Sequence, residues 1–281
     1  MTIKLVTDST CDLPPTLLND LQIQVVPINI QFGAQTYKEN LTITPDIFYQ
    51  KIVENELLPK TSQPAVGEFV EMYSALAETA DEILSIHLTS KLSGTYQSAK
   101  LAASIVANKV KVSVIDSLAG SAGLGWMVYE AAHLIDQGKS TGEIKQHLEA
   151  KRESISIFFV IDTLKYAQMS GRVGKLGSVL GAILNIKPII GLEKGLIDVS
   201  DKTRSHKNAM QRIVALTRGK VRDRPVNVAV VHAQAAARAE TLLDLAQSNL
   251  NVRETFIEDV AISLATHFGP GTLGLVAYPI Q

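Results

Sequence analysis

The strongest constraint on this chain is the regular alternation of short β-branched runs with longer stretches of helical periodicity. Ile3–Thr7, Val25–Ile30, Glu82–Leu88 and Val110–Ile115 read as strands. In the last of these, Val110, Val112 and Val114 alternate with Lys111 and Ser113, the two-residue period of a half-buried strand. Just before it, Ala99, Ala102, Ala103 and Val106 fall on one face of a helix. Strands spaced by helices of this size predict an α/β fold with a doubly wound parallel sheet in the N-terminal half.

The second half has a different rhythm. Ile155–Ile161 is strongly apolar, and Ile186–Leu192 and Leu196–Val199 flank Glu193-Lys194-Gly195, a hairpin turn. A helix with Ala209, Met210, Ile213 and Val214 on one face comes next, then strands at Val226–Val231, Val252–Ile257 and Leu273–Ala277. An Ala-rich helix at Ala235–Ala246 separates the first two of these strands. A hairpin among alternating elements implies a mixed sheet. The charged stretch Lys151-Arg152-Glu153 marks the change, so the expectation is two α/β domains, 1–153 and 154–281.

Composition excludes several function classes. With 27 Lys+Arg against 28 Asp+Glu, the chain lacks the basic excess of a sequence-independent nucleic-acid binder. Aromatics at 5% leave few rings on which to stack bases. One cysteine, Cys11, forms no internal disulfide, as expected in a reducing cytoplasm. The N-terminus MTIKLVTDST has no signal-peptide core, and the most apolar windows are interrupted by Glu130, His133 or Asn185. The six His form no metal-ligand spacing, so neither a metal nor another cofactor is expected.

Two glycine patterns fail. Gly269, Gly271 and Gly274 spell a dinucleotide fingerprint, but only seven strand-like residues come after it, where a helix is required. Gly171–Lys175 evokes a phosphate loop, yet Met169 and Leu176 stand where glycine and a hydroxyl are needed.

Three polar clusters survive. Lys60-Thr61-Ser62-Gln63-Pro64 precedes a helix starting near Val66, and Thr89–Thr95 links a strand to the next helix. Both are expected to place hydroxyls and free N–H groups at a helix start, a setting suited to an anion. The third, Thr266–Gly271, holds His267 on a constrained Gly-Pro-Gly turn. Arg172 and Arg204 each sit beside a loop or cap. An alternative, a serine hydrolase or acyltransferase, rests on Ser93, Asp116 and His267 in the Ser…Asp…His order of α/β-hydrolases. Against it, Lys91 occupies the first glycine position of the nucleophile elbow.

These motifs together resemble the DegV family of bacterial fatty-acid-binding proteins, over essentially the whole chain from Ile3 to about Tyr278. The ordered matches are VTDSTCDLP at Val6–Pro14, KTSQP at Lys60–Pro64, KLSGTYQSA at Lys91–Ala99, the glycine-rich run at Gly171–Ile190, KTR at Lys202–Arg204 and HFGPG at His267–Gly271. Two departures are Tyr37-Lys38-Glu39, where an Asp is common, and Thr89, where a Ser is common. The resemblance implies two α/β domains holding one long-chain fatty acid, such as palmitate or oleate, between them. It implies a carboxylate bound by Thr61 and Ser93, flanked in the same motifs by Ser62, Gly94 and Thr95, with His267 close by. It further implies a non-catalytic, cytoplasmic carrier that presents the acid to a fatty acid kinase, with Arg172 and Arg204 at the exposed end where partner and phosphate arrive. Membrane contact would be transient and confined to the surface.

Overall fold

The computed structural model describes residues 1–55, 58–171 and 186–280. In chain order, β1 (Ile3–Asp8) leads through a short 3₁₀ turn to α1 (Pro15–Asp20), β2 (Gln24–Val26), β3 (Asn29–Phe32) and β4 (Gln35–Lys38). Next come α2 (Pro45–Asn55), β5 (Lys60–Ser62), α3 (Val66–Leu76), β6 (Glu82–His87) and α4 (Thr95–Ile105). After these stand β7 (Lys111–Asp116), α5 (Ala122–Asp136), α6 (Thr141–Lys151), β8 (Ser156–Val160) and α7 (Lys165–Ser170). The last elements are β9 (Lys187–Glu193), β10 (Leu196–Thr203), α8 (His206–Val221), β11 (Val226–His232), α9 (Ala236–Asn249), β12 (Val252–Asp259), α10 (Ile262–Phe268) and β13 (Leu273–Pro279).

The N-terminal part contains a parallel four-stranded sheet in the order β2-β1-β6-β7, and the C-terminal part a mixed six-stranded sheet in the order β10-β9-β8-β13-β11-β12. Alternation along β6 explains why the first is covered on both faces. Ile83 packs with Phe69, Tyr73 and Ala102 of α3 and α4. Leu84 and Ile86 turn the other way, toward Met127 and Ala131 of α5 and Ile144 of α6. The second sheet packs α8 and α9 on one face, with Ile213, Val214 and Leu242 against Val228 and Leu275.

α5 belongs to both halves. It is apolar nearly all round and packs against β1 and β6 of the first sheet and β11 and β13 of the second. Trp126, its largest buried side chain, meets the Phe256 ring of β12 at 4.8 Å between centroids. Gly125 lies so close to the Cys11 carbonyl that a Cβ there would overlap it.

Two sequence expectations are corrected. Val25–Ile30 is not one strand: Pro27 has no N–H for a ladder and separates β2 from β3, which join different sheets. Lys60-Thr61-Ser62 does not sit at a helix start. It forms β5, an edge strand of an antiparallel three-stranded sheet in the order β4-β3-β5, with Thr61 opposite Ile30. Pro64 disfavours helical backbone at the preceding residue. The start of α3 is instead served by Glu68, whose carboxylate accepts from Ala65 N at 2.7 Å.

Candidate functional site

β5 aims Thr61 toward α10, and its Oγ1 hydrogen-bonds His267 Nε2 at 3.0 Å. Two glycines just beyond the histidine fix its place. Gly269 and Gly271 take φ of +81° and +84°, and Cβ atoms there would overlap the Tyr166 ring and the Asp162 carboxylate. Glycine is the residue that meets both requirements.

Ser93 lies on the loop between β6 and α4. Its hydroxyl pairs with Thr95 Oγ1 at 2.8 Å and accepts from Thr95 N at 3.3 Å, which fixes the chain as it enters α4. Gly94 brings in the β5 segment: a Cβ there would lie 2.5 Å from the Gln63 amide, so Gln63 rests on its backbone. Thr89 ties the same loop to the other half, donating to Gly195 O at 3.1 Å in the β9–β10 hairpin. Lys194 and Gly195 both have positive φ there, as a two-residue hairpin turn requires.

These segments line a cavity of about 750 Å³ that is partly open to solvent. Thr61, Ser62, Ser93 and His267 line it, together with Thr10, Gln63 and Ser263. Its polar groups are hydroxyls, an amide and an imidazole. Leu88, Leu92, Leu264 and Phe268 line this cavity and also a second one, of about 580 Å³. That second space is walled mainly by apolar groups of the mixed sheet and of α10, including Ile157, Phe159, Val276 and Leu264. The two spaces therefore adjoin: one has polar walls, the other an apolar interior.

Of the residues expected at the site, Thr61, Ser62, Ser93 and His267 share the polar cavity. Gly94 and Thr95 support it from behind, Thr95 fully buried against Ser93. Arg204 is exposed just beyond β10 and lines neither cavity. Arg172 lies outside the described residues. The Ser…Asp…His arrangement is not assembled: Asp116 accepts from Ser90 N and Leu118 N, both at 3.1 Å, as a strand-end cap. Lone hydroxyls at distant positions look like caps in sequence, and only folding brings these particular ones together.

Thr10, Gln63 and Ser263 were not among the expected site residues, although Thr10 falls inside the motif at Val6–Pro14 and Gln63 inside that at Lys60–Pro64. Buried carboxylates position two of the three. Thr10 donates its N–H and hydroxyl to Asp8 Oδ1 at 3.1 and 2.5 Å. Asp8 Oδ2 meets His87 Nδ1 at 3.0 Å and accepts from Leu88 N at 2.9 Å. Burial works against ionised Asp8, but His87 and these donors hold its carboxyl below the ordinary value. Glu39 accepts from Ser263 N and Oγ, both at 2.7 Å, and from Ser9 Oγ. Burial pushes Glu39 up to about 7 despite these bonds. It thereby links the end of β4 to α10, the helix that carries His267.

Among the described residues, no group of three or more His, Cys, Asp and Glu could hold a metal ion, and no helix is long and apolar enough to cross a membrane.

Fold and site together define a class: an α/β protein with a parallel and a mixed sheet, in which β5, the loop after β6 and α10 line a polar cavity that adjoins an apolar one. The DegV family model, described as one of uncharacterised proteins, matches residues 2–280, and the chain belongs to the DegV family. It is 36% identical over 278 residues to a DegV domain-containing protein of Halalkalibacterium halodurans, covering 98% of each chain. Protein DegV of Bacillus subtilis is 32% identical over 277 residues, again covering 98% of each. In structure it is similar to a fatty-acid-binding DegV family protein from Thermus thermophilus, with a TM-score of 0.94, 34% identity and complete coverage of both chains. DegV from Bacillus subtilis, a fatty acid binding protein, superposes with a TM-score of 0.91 at 31% identity over the full length of both.

Proposed function

We propose that this protein binds one long-chain fatty acid, with its carboxylate in the polar cavity and its chain in the apolar one. The observation that carries this reading is that a hydroxyl-lined space adjoins an apolar one, the two sharing Leu88, Leu92, Leu264 and Phe268 as lining. The fatty-acid-binding relatives of nearly the same fold support it. Thr61, Ser62 and Ser93 supply neutral donors to a carboxylate that would be costly to desolvate without them. A palmitate tail of about fourteen methylenes offers on the order of 11 kcal/mol of gross transfer energy at ~0.8 kcal/mol each. Association and chain ordering reduce that substantially.

On this reading the two halves act as separate α/β domains meeting near Glu153, with the acid between them. The protein is a cytoplasmic carrier with no catalytic residue and no cofactor beyond its ligand. It presents the carboxylate to a fatty acid kinase, with Arg204 and Arg172 serving partner and phosphate. A guanidinium is a planar, permanently charged fork suited to both. Mass spectrometry of lipid extracted from natively purified protein tests the central claim. Recovery of one long-chain fatty acid per chain supports it; no acyl chain, with no uptake of added palmitate or oleate, overturns it.

A further inference from the structure

Two side chains face both the apolar cavity and a third space. Ile157 on β8 and Leu192 on β9 line the apolar cavity, and the same two residues line the third one, of about 410 Å³. Among the described residues, none that lines the polar cavity reaches this third space. The order through the molecule is therefore polar head, apolar tail, the Ile157–Leu192 partition, and then a vestibule.

The vestibule is mixed in character, with Leu118, Ala119 and Ile155 beside charged groups that the tail space lacks. Arg152, Lys194 and Lys220 line it together with Glu153 and Glu193. Burial holds the Lys220 ammonium below its ordinary value, with Glu193 acting in the other direction. An acyl chain passing the partition would leave apolar walls for partly charged ones and gain less transfer energy per methylene.

The position of Ile157 in turn depends on α5. A Cβ on Gly123 would lie 2.5 Å from Ile157 Cδ1 and 3.2 Å from its Cγ1. The isoleucine occupies room that exists only because residue 123 has no side chain.

We propose that Ile157 and Leu192 form the end wall that sets the longest acyl chain this protein accepts, and that Gly123 fixes where the wall stands. This rests on the fatty-acid-carrier reading. The test uses delipidated wild type, Ile157→Ala, Leu192→Ala and Gly123→Ala, titrated calorimetrically with palmitate, stearate, eicosanoate and docosanoate. Ile157→Val is included as a milder variant should the alanine change prevent folding, and each protein's thermal unfolding is recorded without ligand.

Wild type is expected to bind docosanoate more weakly than palmitate. Opening the wall raises the docosanoate-to-palmitate affinity ratio by about tenfold in the alanine variants, and less in Ile157→Val. Gly123→Ala pushes Ile157 toward the open tail space and lowers the stearate-to-palmitate ratio. Folded wall variants whose ratios match wild type overturn the end wall while leaving the carrier intact. Wild type that binds none of the four acids overturns both.

Discussion

Replacing Thr61 with valine removes one hydroxyl and leaves the shape of the side chain nearly unchanged. The strand context tolerates it, because Thr61 sits in β5 opposite Ile30 and valine is at least as well suited to a pleated strand. In the free protein the change removes the 3.0 Å bond to His267, whose loss costs about 0.5–1.5 kcal/mol. In the complex it removes a donor to a carboxylate, worth about 1.5–3 kcal/mol. Palmitate affinity changes by the difference, about 1–1.5 kcal/mol, and should therefore fall by roughly five- to 15-fold. Hexadecanol, with the same tail and no charge, should lose much less. Calorimetric titration of delipidated wild type and Thr61→Val with both ligands gives the four affinities needed. Equal palmitate affinity in the two folded proteins would refute a carboxylate site at Thr61. Equal losses for palmitate and hexadecanol would show that the change disturbs the cavity rather than the head group.

Gly269→Ala should lower stability by about 1–3 kcal/mol, because φ +81° and the Tyr166 ring both oppose a side chain there; the fall in Tm, roughly 3–10 °C, is read by calorimetry. The raised pKa of Glu39 predicts a pH slope. Its contribution to stability is complete below the ordinary value of 4.5 and is lost as pH rises through about 7, a change on the order of 3 kcal/mol. Urea unfolding between about pH 5 and 8 should show Glu39→Gln with a flatter profile than wild type; Asp12 and Glu258, which burial also raises, add to the remaining slope, and His206, which burial lowers, opposes it. An identical slope in both proteins would exclude Glu39 as its source. Arg204→Ala and Arg172→Ala should leave palmitate affinity nearly intact while reducing turnover by a fatty acid kinase; unchanged turnover in both, or a decline that merely tracks Tm, would remove them from that role.

Apart from β2, which the sequence merged with β3 across Pro27, the strands of both large sheets were legible in the sequence because their signals are local. A strand such as Val110–Ile115 shows its buried face as a two-residue alternation, and the helix carrying Ala99 and Ala102 shows its own at i, i+3. The hairpin at Lys194-Gly195 was likewise visible, since positive φ selects its residues. The motifs carrying Thr61, Ser93 and His267 stood out as motifs, but not as neighbours. Tertiary structure decided the rest. β5 is three polar residues whose only reason to be a strand is a partner about thirty positions earlier, at Asn29–Gln31. Thr61 meets His267 across 206 positions and Glu39 meets Ser263 across 224, separations that no local pattern records. The placement of α5 between two sheets, and the meeting of a polar and an apolar cavity at Leu88, Leu92, Leu264 and Phe268, are of the same kind. Periodicity states which face of an element avoids water; which buried faces come to share one cavity is settled only when distant segments pack together.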